Sequence, residues 1–319
     1  MPRHTGGASF PAGILIAGVA GAAVVLSPAI FAVIGWSGGR DLARFDSLLS
    51  LCLASRPGVE PGHLWTSWSL APQIVLPFLL VSLLYGRGVL AERRQGVLNP
   101  AGIGMFAGGM LLLAVALVSP LCRLAATLAS AHMVQHVLIV AVIPPMLVLG
   151  QPLLTMQRGL RGAIRLNISG WLDRPIPASA VYAAAIWLSH APIVYQAALV
   201  DPTIHLLLLA FQLGAGLLFW RIIVRCVSCP EIRRDQAGPS LLMAFSTFMH
   251  TGLLGALLTF ASAPWYPIYG SGPQAWGLTP LEDQQLAGLI MWVPMSAVFL
   301  AAGLAVMAKL LKVEETSPG

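Results

Sequence analysis

The stretch AHMVQHVLIVAVIPPMLVLGQP, residues 131–152, decides the fold. Apart from His132, Gln135, His136 and Gln151, every side chain in it is apolar. A run of about 20 such residues crosses the hydrocarbon core of a bilayer as a helix, because only a helix satisfies its own backbone in lipid. His132 and His136 are four residues apart, so they share one helix face. Ionisable side chains in a span are costly, and they face the bundle interior or a wet cavity. Pro144 and Pro145 remove two backbone donors, which predicts a kink towards the inner end and freed carbonyls.

The rest of the chain agrees with that reading. Of 319 residues, 57% are hydrophobic and 9% charged, against roughly 25% charged in soluble domains. The apolar runs predict eight spans, at about 12–36, 64–86, 102–121, 128–150, 178–199, 204–224, 239–262 and 285–311. The first run follows the flank MPRHTGG and lacks a clear small-residue cleavage site, so it reads as a retained helix rather than a signal peptide. The formal net charge is only +6, and the basic residues sit in the connectors, which excludes a nucleic-acid partner. With the N-terminus inside, only Arg40, Arg44, Arg56 and Arg123 of the 18 basic residues fall outside, as the positive-inside rule requires. The expected fold is all-α: a polytopic transmembrane helix bundle of eight spans, both termini cytoplasmic, surrounded by lipid.

The histidines are not spread evenly over this topology. His132, His136, His190, His205 and His250 fall at the outer ends or middle of four spans, and none lies in the inner half. A single intramembrane histidine also reads as a hydrogen-bonding link between helices. Several at related depth point to one site, and imidazole is the commonest metal ligand. Thioethers favour Cu(I), which adds Met133, Met249 and Met291 as soft-ligand candidates, although methionine is also ordinary core filler. Asp283 is a ligand candidate, or could orient an imidazole from behind; equally, a first-turn carboxylate suits the positive end of its own helix. Cys226 and Cys229 have ligand spacing but no second pair. Cys52 and Cys122 lie outside and could pair or stay free. No P-loop, GxSxG, HExxH or GxGxxG is present, and no enzymatic activity is expected.

Six pieces carry a resemblance: LWTSWSLAPQIVLPFLLVSLLYGRG (64–88), SAHMVQHVLIVAVIPPMLVLGQP (130–152), IWLSHAPIVYQAALVDPTIH (186–205), LLFW (217–220), HTGLLGALLTFASAPWYPIY (250–269) and GLTPLEDQQLAGLIMWVP (277–294). In these pieces the chain resembles the multispanning caa3-type CtaG family of bacterial cytochrome c oxidase assembly factors. The resemblance implies a seven-helix membrane domain over 64–312, preceded by an N-terminal helix and outer loop (1–63) and followed by a short tail (313–319). It implies a role in the bacterial inner membrane, maturing oxidase subunits at their copper sites, with other copper chaperones as further partners. The family's motif positions correspond here to His132, His136, His190, His205 and His250, with Asp283 in the last motif. The chain departs from the family at position 209, where Leu209 stands in place of a second histidine on the His205 helix. Two alternatives stay open: a haem protein ligated axially by His136 with His190 or His250, and a scaffold for a nascent oxidase subunit in which the histidines are structural.

Overall fold

A computed structural model describes Cys52 and residues 58–160, 170–228 and 234–315. The expected first span, about 12–36, and most of the loop after it lie outside the described residues. Proline sets the start of nearly every helix. Pro72, Pro100, Pro120, Pro152, Pro175, Pro192 and Pro202 each open one, where a missing N–H costs nothing and φ is already helical. The helices are α1 (Pro72–Gln95), α2 (Pro100–Val118), α3 (Pro120–Ala125), α4 (Ala129–Leu149), α5 (Pro152–Gly159), α6 (Pro175–His190), α7 (Pro192–Val200), α8 (Pro202–Ser228), α9 (Arg234–Thr259) and α10 (Pro280–Glu315). Among the described residues there is no strand.

Six helices are long and apolar enough to cross a membrane: α1, α2, α4, α8, α9 and α10. The pair α6–α7 makes a seventh if it counts as one span bent by 72°. Two expectations shift. The span expected at about 64–86 begins at Pro72, and Pro61–Thr66 form a 3₁₀ turn instead. The straight span expected at about 178–199 is broken at Ala191, because Pro192 cannot continue the ladder.

The core is assembled around α4, which packs on α2, α8 and α10. Its double proline has a specific consequence. Residues Leu138–Val142 form a π turn. The Val140 carbonyl would receive an N–H from residue 144 in an α-helix or from residue 145 in a π-helix, and both are proline. Two side chains replace the lost donor: Tyr182 Oη of α6 at 3.2 Å and Trp220 Nε1 of α8 at 3.1 Å. Tyr182 and Trp220 are both buried and join Phe219 and Phe299 in an aromatic cluster. The expected kink therefore takes the form of a widened turn, tied to two neighbouring helices.

Polar ties mark the two ends of the bundle. At one end the buried Glu92 of α1 accepts from Thr155 (2.9 Å) and Arg158 (2.8 Å) of α5, and Asp173 pairs with Arg221 (3.2 Å) and Arg225 (2.6 Å) of α8. All of these belong to connectors or helix ends assigned to the cytoplasm by charge. At the other end Cys52 and Cys122 form a disulfide, with Cα atoms 5.2 Å apart. Between α9 and α10 the backbones meet closely, because Gly255 lies on Trp292 and Gly288 on Thr259.

Candidate metal centre

The start of α4 is held by another helix. Leu128, its N-cap, offers no side-chain acceptor. The Asp283 carboxylate of α10 takes that place, accepting from Ala129 N (2.6 Å), Ser130 N (3.1 Å) and Ser130 Oγ. A carboxylate suits the positive end of a helix and satisfies donors that the helix cannot. The first turn of α10 is capped by its own neighbours: Thr279 N donates to Glu282 at 2.8 Å and Glu282 N donates to Thr279 Oγ1 at 3.2 Å. Asp283 is thus a cap in trans that fixes the helix carrying His132 and His136.

Four of the five candidate histidines come together. The His136 and His190 rings lie edge to face, with centroids 4.9 Å apart. His132 interacts electrostatically with His205 and His190, and His136 with His190 and His132. His136, His190 and His205 are buried and His132 is half-buried. Each ring is tethered through one nitrogen: His132 to the Ala125 carbonyl, His136 to the Gln212 side chain, His190 Nδ1 to the Ile186 carbonyl at 2.7 Å, and His205 to the Ala198 carbonyl. Ala125 ends α3, Ala198 lies in the last turn of α7, and Ile186 lies in the last turn of α6. These carbonyls lie close to the breaks in the chain, and two of them are shared: Ile186 also accepts from Ser189 Oγ at 2.8 Å and Ala125 from Tyr269 at 3.4 Å. The other nitrogen of each ring is enclosed without a hydrogen-bond partner: His132 Nδ1 and Nε2 of His136, His190 and His205.

That pattern, one nitrogen anchored and one left open, is how a histidine is prepared for a metal. Among the described residues, no group of three or more His, Cys, Asp or Glu side chains is arranged to hold a metal ion. The arrangement therefore offers imidazoles in close pairs rather than a closed coordination shell.

His250 makes no ring contact with the other four among the described residues, and it sits half-buried on α9 with both ring nitrogens unpartnered. Met133 and Met291 are buried in the apolar core, and Met249 is 52% exposed on the outer surface of α9. Cys226 is a half-buried thiol, and Cys229 lies outside the described residues.

Three tyrosines adjoin the quartet. Tyr195 lies 4.8 Å from the His132 ring and stacks on Tyr266 at 3.9 Å. Tyr195 and Tyr269 share a hydrogen bond of 2.6 Å, and Tyr266 donates to the His190 carbonyl at 2.9 Å. Burial pushes the Tyr266 and Tyr269 phenols well above their ordinary range. Sequence reading missed these tyrosines and Gln212. Gln212 was within reach, since it lies seven residues after His205 and so on the same face of α8. Tyr266 and Tyr269 depend on how the 260–279 connector folds back, for which the sequence carries no periodic signal, and Tyr195 lies on α7 beyond the bend at Pro192.

No curated protein and no solved structure matches the chain. The model of one family, the cytochrome c oxidase caa3 assembly factor (Caa3_CtaG), matches residues 83–312, from the middle of α1 to the end of α10. That range takes in the His132–His136 helix, the broken α6–α7 pair, His205 and the Asp283 cap, and on that match the chain belongs to the family of caa3 cytochrome c oxidase assembly factors.

Proposed function

We propose that this assembly factor carries copper, as Cu(I), on the histidine quartet and passes it to a nascent oxidase subunit at the outer face of the bacterial inner membrane. The observation that carries the reading is the set of four tethered imidazoles, each with its second nitrogen enclosed and unpartnered. Neutral imidazoles in an apolar bundle suit a soft or borderline ion better than Mg²⁺ or Ca²⁺, which want oxygen. Copper here is cargo. An ion that must leave again is better served by a pair of imidazoles than by a closed shell of four. The quartet stands at the outer ends of its spans, where a donor chaperone and an acceptor subunit could both reach it.

The test is anaerobic Cu(I) titration of the detergent-purified protein against a competing chelator. Wild type is compared with His132→Ala/His136→Ala and with His190→Ala. Copper held by wild type and released by both variants supports the reading. Equal retention in all three overturns it and leaves the quartet as links between helices in a scaffold for the oxidase subunit. A Soret band in the purified protein would instead favour haem.

A further inference from the structure

The segment that leads into α1 is clamped at both ends. At Val59 the backbone N–H donates to Thr127 Oγ1 at 3.0 Å, and the carbonyl accepts from Trp276 Nε1 at 2.9 Å. Further on, Ser69 N donates to the Val118 carbonyl at 3.0 Å, and the Trp68 carbonyl accepts from Arg123 Nε at 3.1 Å. Val118 ends α2, Arg123 lies in α3, and Thr127 stands just before α4. Val59, Ser69 and Arg123 are buried. Between the clamps, the 3₁₀ turn Pro61–Thr66 buries none of its residues. Trp65 is 80% exposed, and Trp68 and Leu70 are exposed beside it. Several polar groups of the segment are satisfied internally. Thr66 Oγ1 and Ser67 Oγ both donate to the His63 carbonyl, and Trp68 Nε1 donates to the Trp65 carbonyl. These groups need no outside partner, while large apolar surfaces remain uncovered.

The length of α1 gives the depth of this turn. From Pro72 to Arg93 the helix rises about 32 Å, close to the hydrocarbon thickness of about 30 Å. Arg93 and Arg94 are exposed near the far end of α1 and belong at headgroup level. Arg87, exposed nearby, has a side chain long enough to reach the same layer. Pro72 therefore marks the opposite boundary. Leu76, Leu79, Leu80 and Leu83 are exposed between the two, as a lipid-facing helix requires. The turn, which comes just before Pro72, falls in the headgroup layer, where indole rings partition. We propose that it is an interfacial anchor: Trp65 and Trp68 seat among lipid headgroups and hold the junction of α2, α3 and α4 at that level. Donors turned inward favour lipid over a protein partner, since protein contacts are knit by hydrogen bonds across them. The anchor is independent of what the histidines bind.

The experiment uses full-length protein in nanodiscs of phosphatidylcholine brominated either near the glycerol or near the ends of the acyl chains. Tryptophan emission is read for wild type and Trp65→Phe, and the difference belongs to Trp65. That emission should be quenched several times more strongly by the shallow bromines than by the deep ones. Quenching by neither lipid overturns the proposal and leaves the turn facing water or a protein. Stronger quenching by the deep bromines also overturns it, because the ring then lies in the hydrocarbon. A second measurement reads backbone amide exchange at Val59 and Ser69 in nanodiscs, for wild type and Trp65→Ser. A ring that is 80% exposed has little packing within the protein to lose, so a change at the clamps comes through the lipid. Exchange at both amides should be several times faster in Trp65→Ser. Equal exchange in the two proteins overturns the anchor.

Discussion

The carboxylate of Asp283, on α10, closes the N-terminus of α4 through the backbone N–H and the hydroxyl of Ser130. The contact joins residues 153 positions apart and is buried. Asp283→Ala removes a charged acceptor and strands two backbone donors, and should destabilise the protein by about 1–3 kcal/mol. Asp283→Asn keeps one acceptor and should cost less. Unfolding temperatures in detergent check the order. An Asp283→Ala protein as stable as wild type would mean that the donors find other partners.

The Val140 carbonyl has two side-chain donors, and they should back each other up. Tyr182→Phe and Trp220→Phe should each cost about 1 kcal/mol. The double variant should cost more than the sum, because only then is the carbonyl orphaned. Adding Pro144→Ala to the double variant restores a backbone N–H and should recover part of the loss. Thermal unfolding of the four proteins reads this directly, and simple additivity would contradict it.

His250 is separate from the quartet, so His250→Ala should leave Cu(I) retention within about twofold of wild type, while His190→Ala should lose at least the 10-fold expected when a ligand or its support is removed. Equal losses from the two variants would place His250 in the site.

The Cys52–Cys122 disulfide closes a separation of 70 residues. Its removal by Cys52→Ser/Cys122→Ser should cost on the order of 2–4 kcal/mol, as long closed loops do. Mass spectrometry of alkylated protein, with and without reductant, should find these two thiols protected until reduction.

Tyr266 and Tyr269 lie outside the spans, and burial raises both phenols. In the unfolded chain they ionise near pH 10. Above that pH the unfolded state holds fewer protons than the folded one, so stability falls as pH rises. The contribution is complete below about pH 10 and is lost on the way up to the folded values. Tyr266→Phe/Tyr269→Phe should flatten the alkaline limb of the unfolding temperature measured between pH 8 and 11.

The membrane bundle and its histidine face were legible because both are periodic. Apolar runs of spanning length fix the helices, and the four-residue spacing of His132 and His136 fixes a shared face. Residues that act across helices were not legible. Asp283 reads as a cap on its own helix and turns out to cap α4, since nothing local says which N-terminus lies beside it. The grouping of His190 with His136 depends on the bend at Pro192. Gln212 was silent because an amide in a span is ordinary until its partner is seen.

The π turn at Leu138–Val142 has a further consequence for how α4 can vary. Each residue added to or dropped from a helix turns everything beyond it by about 100°. The turn holds one residue more than a regular helix of the same rise would. The widening absorbs that residue, so the histidine half of α4 and the lower half, where Gly216 meets Pro144, each keep the phase of a regular helix against α8. Removing a residue there would close the turn and press the proline rings against the carbonyls one turn earlier, which a regular helix cannot accommodate. Chain length in these five positions is therefore coupled to the double proline that follows, and a deletion here would be felt more sharply than most substitutions.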